Sequence, residues 1–200
     1  MRKMSYITTK VSPCVRYVLV RNVQCKKHLK QQKGDMEGKP GSNSNLTEEG
    51  DKMAQALENL IDYLEKRPYC VPDDKVLPRS YSIVVDGKSK QHYDTSRYLR
   101  QKHRDIYTIY TTNIKEHIKR DLINADHINI CIVFTDATTI REICQVNISE
   151  KLHLGAALGS CSIFDIVPDN RIFVHEFGSL AALQYGGYDT SKLFWWNNDK

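Results

Sequence analysis

The side chains of this 200-residue chain that could carry chemistry are seven histidines, six cysteines and a few charged groups at element ends. The cysteines (Cys14, Cys25, Cys70, Cys131, Cys144 and Cys161) form no CxxC pair and show no Cys/His ligand spacing, so no metal is expected. Several stand inside apolar segments, where a free thiol behaves as a small hydrophobe. There is no glycine-rich phosphate loop, no HExxH and no Ser/His/Asp arrangement, and no cofactor is expected. Asp35, Glu37, Glu48 and Glu49 read as a solvated loop face and a helix N-terminal charge rather than an acid/base pair. Two short stretches remain, each at the end of an apolar run: Arg21-Asn22-Val23-Gln24 and Thr135-Asp136-Ala137-Thr138. A guanidinium, an amide and a carboxylate in such places can bind an anion or a polar ligand.

The elements that must position them alternate. Val15 to Val20 is an apolar, β-branched run and reads as a buried strand. A polar, mobile loop is expected over Lys26 to Asn45. Thr47 then opens a helix whose Met53, Leu57, Leu60, Ile61 and Leu64 share one face. Tyr81 to Val85 reads as a second strand, ending in the turn Asp86-Gly87. Helical stretches are expected over Ser89 to Gln101 and over Tyr107 to Asn124, the latter striped by Tyr107, Tyr110, Ile114, Ile118 and Leu122. Ile128 to Phe134 is the strongest strand. A short helix, Thr139 to Val146, and two strands, Cys161 to Val167 and Arg171 to Phe177, complete the pattern. Such alternation predicts an α/β fold, a three-layer α/β/α sandwich with a mostly parallel central sheet. In such sheets ligands bind beyond the carboxyl ends of the strands, where Arg21 and Asp136 fall.

A 40% hydrophobic and 26% charged chain of this length suits one domain, residues 1–200, with a tail over 189–200. No apolar run approaches the roughly 20 residues a bilayer needs, and no secretory core follows Arg2 and Lys3, so no membrane partner is expected. The expected location is cytoplasmic, with the nucleus as alternative. The net charge is +5, and before Asp35 every charged residue is basic, which reads as a solvated loop balanced by acidic residues elsewhere, with phosphate-bearing partners as the alternative. Nucleic acid therefore stays open as a partner, although those basic residues are not interleaved with aromatics. The cluster Phe194, Trp195 and Trp196 is a candidate partner-binding element or a cap on the sheet.

Three stretches in order resemble the histidine phosphatase superfamily, which has the phosphoglycerate-mutase-like fold. They are Val18-Leu19-Val20-Arg21-Asn22-Val23, Leu46-Thr47-Glu48-Glu49-Gly50 and Ile132-Val133-Phe134-Thr135-Asp136-Ala137-Thr138-Thr139-Ile140-Arg141. Leu158-Gly159-Ser160-Cys161-Ser162 and Gly186-Gly187-Tyr188 are similar to the phosphatase domain of the ubiquitin-associated and SH3-domain-containing proteins, the suppressors of T-cell receptor signalling. The resemblance implies a phosphate pocket in which one imidazole attacks phosphorus and a second, with two arginines, neutralises the transferred group. Arg21 matches the first arginine. Asn22 stands at the nucleophile, and its amide lone pair is delocalised. Asp136 stands at the second histidine, where a carboxylate about 4 Å from one phosphate charge is repelled by roughly 4 kcal/mol at an effective dielectric near 20. Lys90 is the nearest equivalent of the second arginine, with Gln91 one residue on. The insertion that usually carries the acid is missing.

These departures predict a vestigial pocket of Arg21, Asn22, Lys90 and Asp136 with no catalytic residue, closed by an Arg21–Asp136 ion pair that Asn22 bridges. The remaining histidines, His92 included, are expected at surface or packing positions. The implied function is a pseudophosphatase serving as a protein-interaction or scaffold module, in a homodimer or a heteromer. The alternatives are a residual phosphatase using water positioned by Asp136, and a basic RNA-binding protein.

Overall fold

A computed structural model describes residues 15–25, 46–66, 79–114, 116–117, 128–147, 156–166 and 172–193. Strand β1 (Val15–Arg21) is buried along its whole length, its apolar residues and also Arg16 and Arg21. Helix α1 (Glu48–Ala56) continues through a 3₁₀ turn, Leu57–Asn59, into α2 (Leu60–Glu65). Strand β2 (Arg79–Asp86), helices α3 (Lys90–Thr95) and α4 (Arg97–Lys102), and strand β3 (Tyr107–Thr111) follow. Then come β4 (Ile128–Thr135), α5 (Ala137–Asn147), β5 (Cys161–Ile166), β6 (Ile172–Ser179) and α6 (Ala181–Tyr185).

The six strands form one sheet in the order β3-β2-β4-β1-β5-β6. β3, β2, β4 and β1 run parallel, β5 is antiparallel to β1, and β6 is antiparallel to β5. Alternating side chains feed two cores. On one face Val18, Val20, Ile83, Val85, Ile132 and Phe134 pack with Met53, Leu57, Leu60 and Leu64 of the α1–α2 segment and with Leu99 and Leu183. On the other, Tyr17, Leu19, Val84 and Val133 pack with Ile140, Ile143 and Cys144 of α5. The fold is thus α/β in three layers, with a mostly parallel central sheet. Among the described residues, no helix is long and apolar enough to cross a membrane.

Two expectations need correction. Residues 107–111 are a strand, not the start of a helix running to Asn124. Tyr107, Tyr110 and Ile114 do fall at helical spacing, but Tyr-Thr-Ile-Tyr-Thr is wholly aromatic and β-branched. Its backbone finds parallel partners on β2, from Ser82 opposite Tyr107 to Asp86 opposite Thr111. The stretch over Ser89 to Gln101 is two short helices rather than one, divided at Ser96. Ile118, Leu122, the loop over 26–45 and Phe194, Trp195 and Trp196 lie outside the described residues.

Within the sheet sits one buried charge pair. Arg16 on β1 grips Asp165, its cross-strand partner on β5, with Nε and Nη2 each 2.7 Å from a carboxylate oxygen, and His175 Nε2 lies 2.7 Å from Oδ2. Burial alone would raise the Asp165 carboxyl, but the Arg16 and His175 hydrogen bonds overcome it and hold it below the ordinary carboxylate value. Removing the guanidinium leaves the buried Asp165 carboxylate to His175 alone, so Arg16→Ala is expected to lower unfolding free energy by about 3 kcal/mol. Because the folded carboxyl titrates lower than the unfolded one, the pair's contribution is complete above about pH 4 and is lost as pH falls through the folded value. Urea unfolding of the wild type and Arg16→Ala across pH 2–6 checks both, the gap between them closing at the acid end.

Candidate functional site

Parallel pairing of β1 with β4 brings Arg21 opposite Thr135, at the carboxyl end of the sheet. The chain beyond β1 is fixed by its backbone. Asn22 N–H donates to Thr135 O at 3.0 Å, Gly159 N–H donates to Asn22 O at 3.3 Å, and Arg21 N–H donates to Ser160 O at 2.9 Å. Gly159 has φ +70°, the left-handed region a glycine adopts without strain. On the α3 side, Gln91 Nε2 donates to Val23 O at 3.0 Å and Val23 N–H donates to Thr95 Oγ1 at 3.3 Å.

The Leu46–Gly50 stretch earns its residue types from the same segment. Thr47 caps α1, its Oγ1 accepting from Gly50 N–H at 2.9 Å, and donates to Gln24 Oε1 at 2.9 Å. Gly50 packs on the backbone of Gln24 so closely that a Cβ would lie 1.8 Å from the Gln24 carbonyl oxygen. The first turn of α1 therefore lies directly against the stretch that follows Arg21 and Asn22.

Asp136 is the N-cap of α5: Oδ1 accepts from Thr139 N–H at 2.7 Å, and its carbonyl accepts from Ile140 N–H. This engagement overturns one expectation. No contact within 4.0 Å joins Arg21 to Asp136, and no hydrogen bond from the Asn22 amide bridges them. A capping carboxylate is aimed along its own helix axis at free N–H groups, not sideways at β1. Arg21 is 7% exposed, and its Nε is buried without a hydrogen-bond partner. Its pKa is lowered, first by burial and then by the like charge of Arg141 on α5, while Asp136 opposes the shift from a distance. Arg21 is thus a buried, under-satisfied cation whose burial is offset in part by the Asp136 carboxylate and, to a smaller extent, opposed by Arg141.

Arg21 and Asn22 end β1 beside Thr135, the residue before Asp136. Lys90 is exposed and lines, with Thr47, Glu48, Asp51, Asp94 and Arg97, a groove of about 450 Å³. Ser89 caps α3 by accepting from Gln91 N–H, and this phase turns Gln91 inward instead. Sequence reasoning singled out neither Arg141 nor Ser160, whose Oγ is also buried without a partner. Both lie within stretches that carry the resemblance, Arg141 also as the first cation on the helix that Asp136 opens, but neither was marked as a site residue. His92 is a buried packing residue whose Nδ1–H donates to the Asp86 carbonyl at 3.0 Å, and no described histidine hydrogen-bonds to Arg21. Burial pushes the Cys144 thiol up to about 11 and the Cys161 thiol higher still, so neither is a nucleophile. Among the described residues no cluster of His, Cys, Asp or Glu could hold a metal.

Two substitutions test this construction. Gly50→Ala forces α1 away from Gln24 and is expected to cost about 1–3 kcal/mol in denaturant unfolding. Arg21→Met removes the unsatisfied cation while keeping its volume, and is expected to raise stability by about 1–3 kcal/mol in the same measurement.

No family model matches the sequence, and no curated relative does. Solved structures do match. Phosphoglycerate mutase from Bacillus anthracis str. Sterne has a TM-score of 0.58 at 11% identity, over 88% of this chain and 98% of that one. YhfR from Bacillus stearothermophilus has a TM-score of 0.52 at 11% identity, over 84% and 99%. Phosphoserine phosphatase from Entamoeba histolytica, in complex with 3-phosphoglyceric acid, has a TM-score of 0.50 at 11% identity, over 84% and 99%. At such identities the likeness is one of fold alone, and that fold is the one of phosphoglycerate mutase.

Proposed function

We propose that this chain is a catalytically inactive histidine-phosphatase-like domain that works by binding protein partners, as a homodimer or within a heteromer. The finer likeness, to the phosphatase domain of the ubiquitin-associated and SH3-domain-containing proteins, belongs to the same proposal. One observation carries the reading: at the two strand ends where this fold would hold its imidazoles stand Asn22 and Asp136, and the Asp136 carboxylate is already engaged with the Thr139 N–H. An amide cannot accept a phosphoryl group. A carboxylate tied to a helix start offers a transferring phosphate repulsion instead of a hydrogen bond. Arg21 keeps a buried positive charge, which can attract an anion but supplies no nucleophile.

The reading is tested by turnover of an aryl phosphate. The wild type is expected to release no more phenolate than Arg21→Ala, with circular dichroism confirming that both are folded. Turnover that vanishes in Arg21→Ala would overturn the reading and favour a phosphatase in which Asp136 positions water.

A further inference from the structure

Resting on the scaffold reading above, we propose that the outer edge of β3 is a docking site for an extended, acidic segment of a partner protein, which adds to the sheet as a further strand. β3 is the last strand on its side of the sheet, and among the described residues only β2 pairs with it. Edge strands are commonly guarded by lysine, proline or a bulge. Tyr107–Thr111 carries none of these.

The edge is also the aromatic corner of the molecule. Tyr107 is 73% exposed, Tyr110 53% and Tyr93, on α3 beside it, 45%. Strand alternation puts Tyr107 on the sheet face of Ile109, which packs toward α5, and Tyr110 on the opposite face with α3 and α4. The two rings therefore straddle the edge. Arg100 makes the second side rigid: its guanidinium lies 4.0 Å from the Tyr93 ring centroid, Nη1 donates to the Tyr110 hydroxyl at 2.9 Å, and Nε donates to Ser96 Oγ at 2.9 Å. Tyrosine and arginine held in this way are the residue types that dominate interface hot spots. An edge strand flanked by an exposed ring on each face suits strand addition.

Charge selects the occupant. Residues 95–114 contain Arg97, Arg100, Lys102 and Arg104 against Asp105 alone. Arg97 and Lys102 are engaged by Asp51 and Asp62, leaving Arg100, which is bonded to Tyr110 of β3, and the exposed Arg104, three residues before the strand begins. An acidic segment meets complementary charge there. A second copy related by a two-fold axis would bring these arginines against their own images. A single-stranded nucleic acid stacks successive bases along one surface, and Tyr107 and Tyr110 lie on opposite ones.

The experiment is selection of a display library of short random peptides on the immobilised full chain. The expected winners alternate β-branched or aromatic residues with Asp or Glu. Their affinity is expected to fall about tenfold or more with Tyr107→Glu and with Arg104→Glu, both exposed and compatible with folding. Val174→Glu on β6, an exposed position at the opposite edge, is expected to leave binding unchanged. The proposal is overturned if no peptide is enriched, if the winners are basic, or if the β3 variants bind them as the wild type does. Competition by an oligouridylate, or a dimer in sedimentation that Tyr107→Glu dissociates, would overturn it in favour of RNA or a second copy. Turnover of aryl phosphate with acidic peptides still held at β3 would overturn only the inactive reading; silence in both assays would overturn only this one.

Discussion

The parallel pairing of β1 with β4 is the constraint on which the rest of the site depends. Its register runs without a break from Val15 opposite Asn129 to Arg21 opposite Thr135, and the hydrogen bond from Asn22 N–H to Thr135 O continues it by one step. Positions 22 and 136 are therefore neighbours by backbone geometry alone, whatever side chains they carry. Two strands whose side chains are buried on both faces cannot slip relative to each other, since a one-residue shift would turn every apolar group to the wrong core. The chemistry available between them is decided by residue type. An amide and a buried guanidinium can hold charge and hydrogen bonds in place but are not phosphoryl acceptors, and the Asp136 carboxylate is engaged at the start of α5.

The strands other than β3 were legible because β-branched and apolar runs bounded by turn residues have few other ways to bury themselves. β3 was not. Its tyrosines fall at a spacing that fits a helix stripe, yet both are exposed, and what fixes the segment as a strand is the free edge of β2, which local sequence does not reveal. The site was legible to the same depth. Arg21, Asn22 and Asp136 could be placed because strand ends are predictable. The missing Arg21–Asp136 ion pair was not, because a carboxylate chooses among competing donors, and the α5 backbone offers N–H groups closer than any guanidinium. Lys90 and Gln91 differ by a single step of helical phase, which the Ser89 cap settles only in three dimensions.

The residues that shape the site and those that would do chemistry in it are separable. Thr47, Gly50, Thr95 and Gly159 hold the segment after β1 through contacts with its backbone, so they work equally well beside a histidine or an asparagine. Position 136 goes further. Aspartate is among the best helix N-caps, contributing roughly 0.5–2 kcal/mol over residues that cannot cap, and an imidazole there would have to leave those N–H groups to another partner. The carboxylate thus favours the folded state at the position where it disfavours a bound phosphate. Arg21 shows the converse: its unpartnered Nε opposes stability, as a buried donor without an acceptor does. One wall of the pocket therefore stabilises the fold while the other strains it, and on the scaffold reading proposed above it is the surface, at β3, rather than this pocket that would meet a partner.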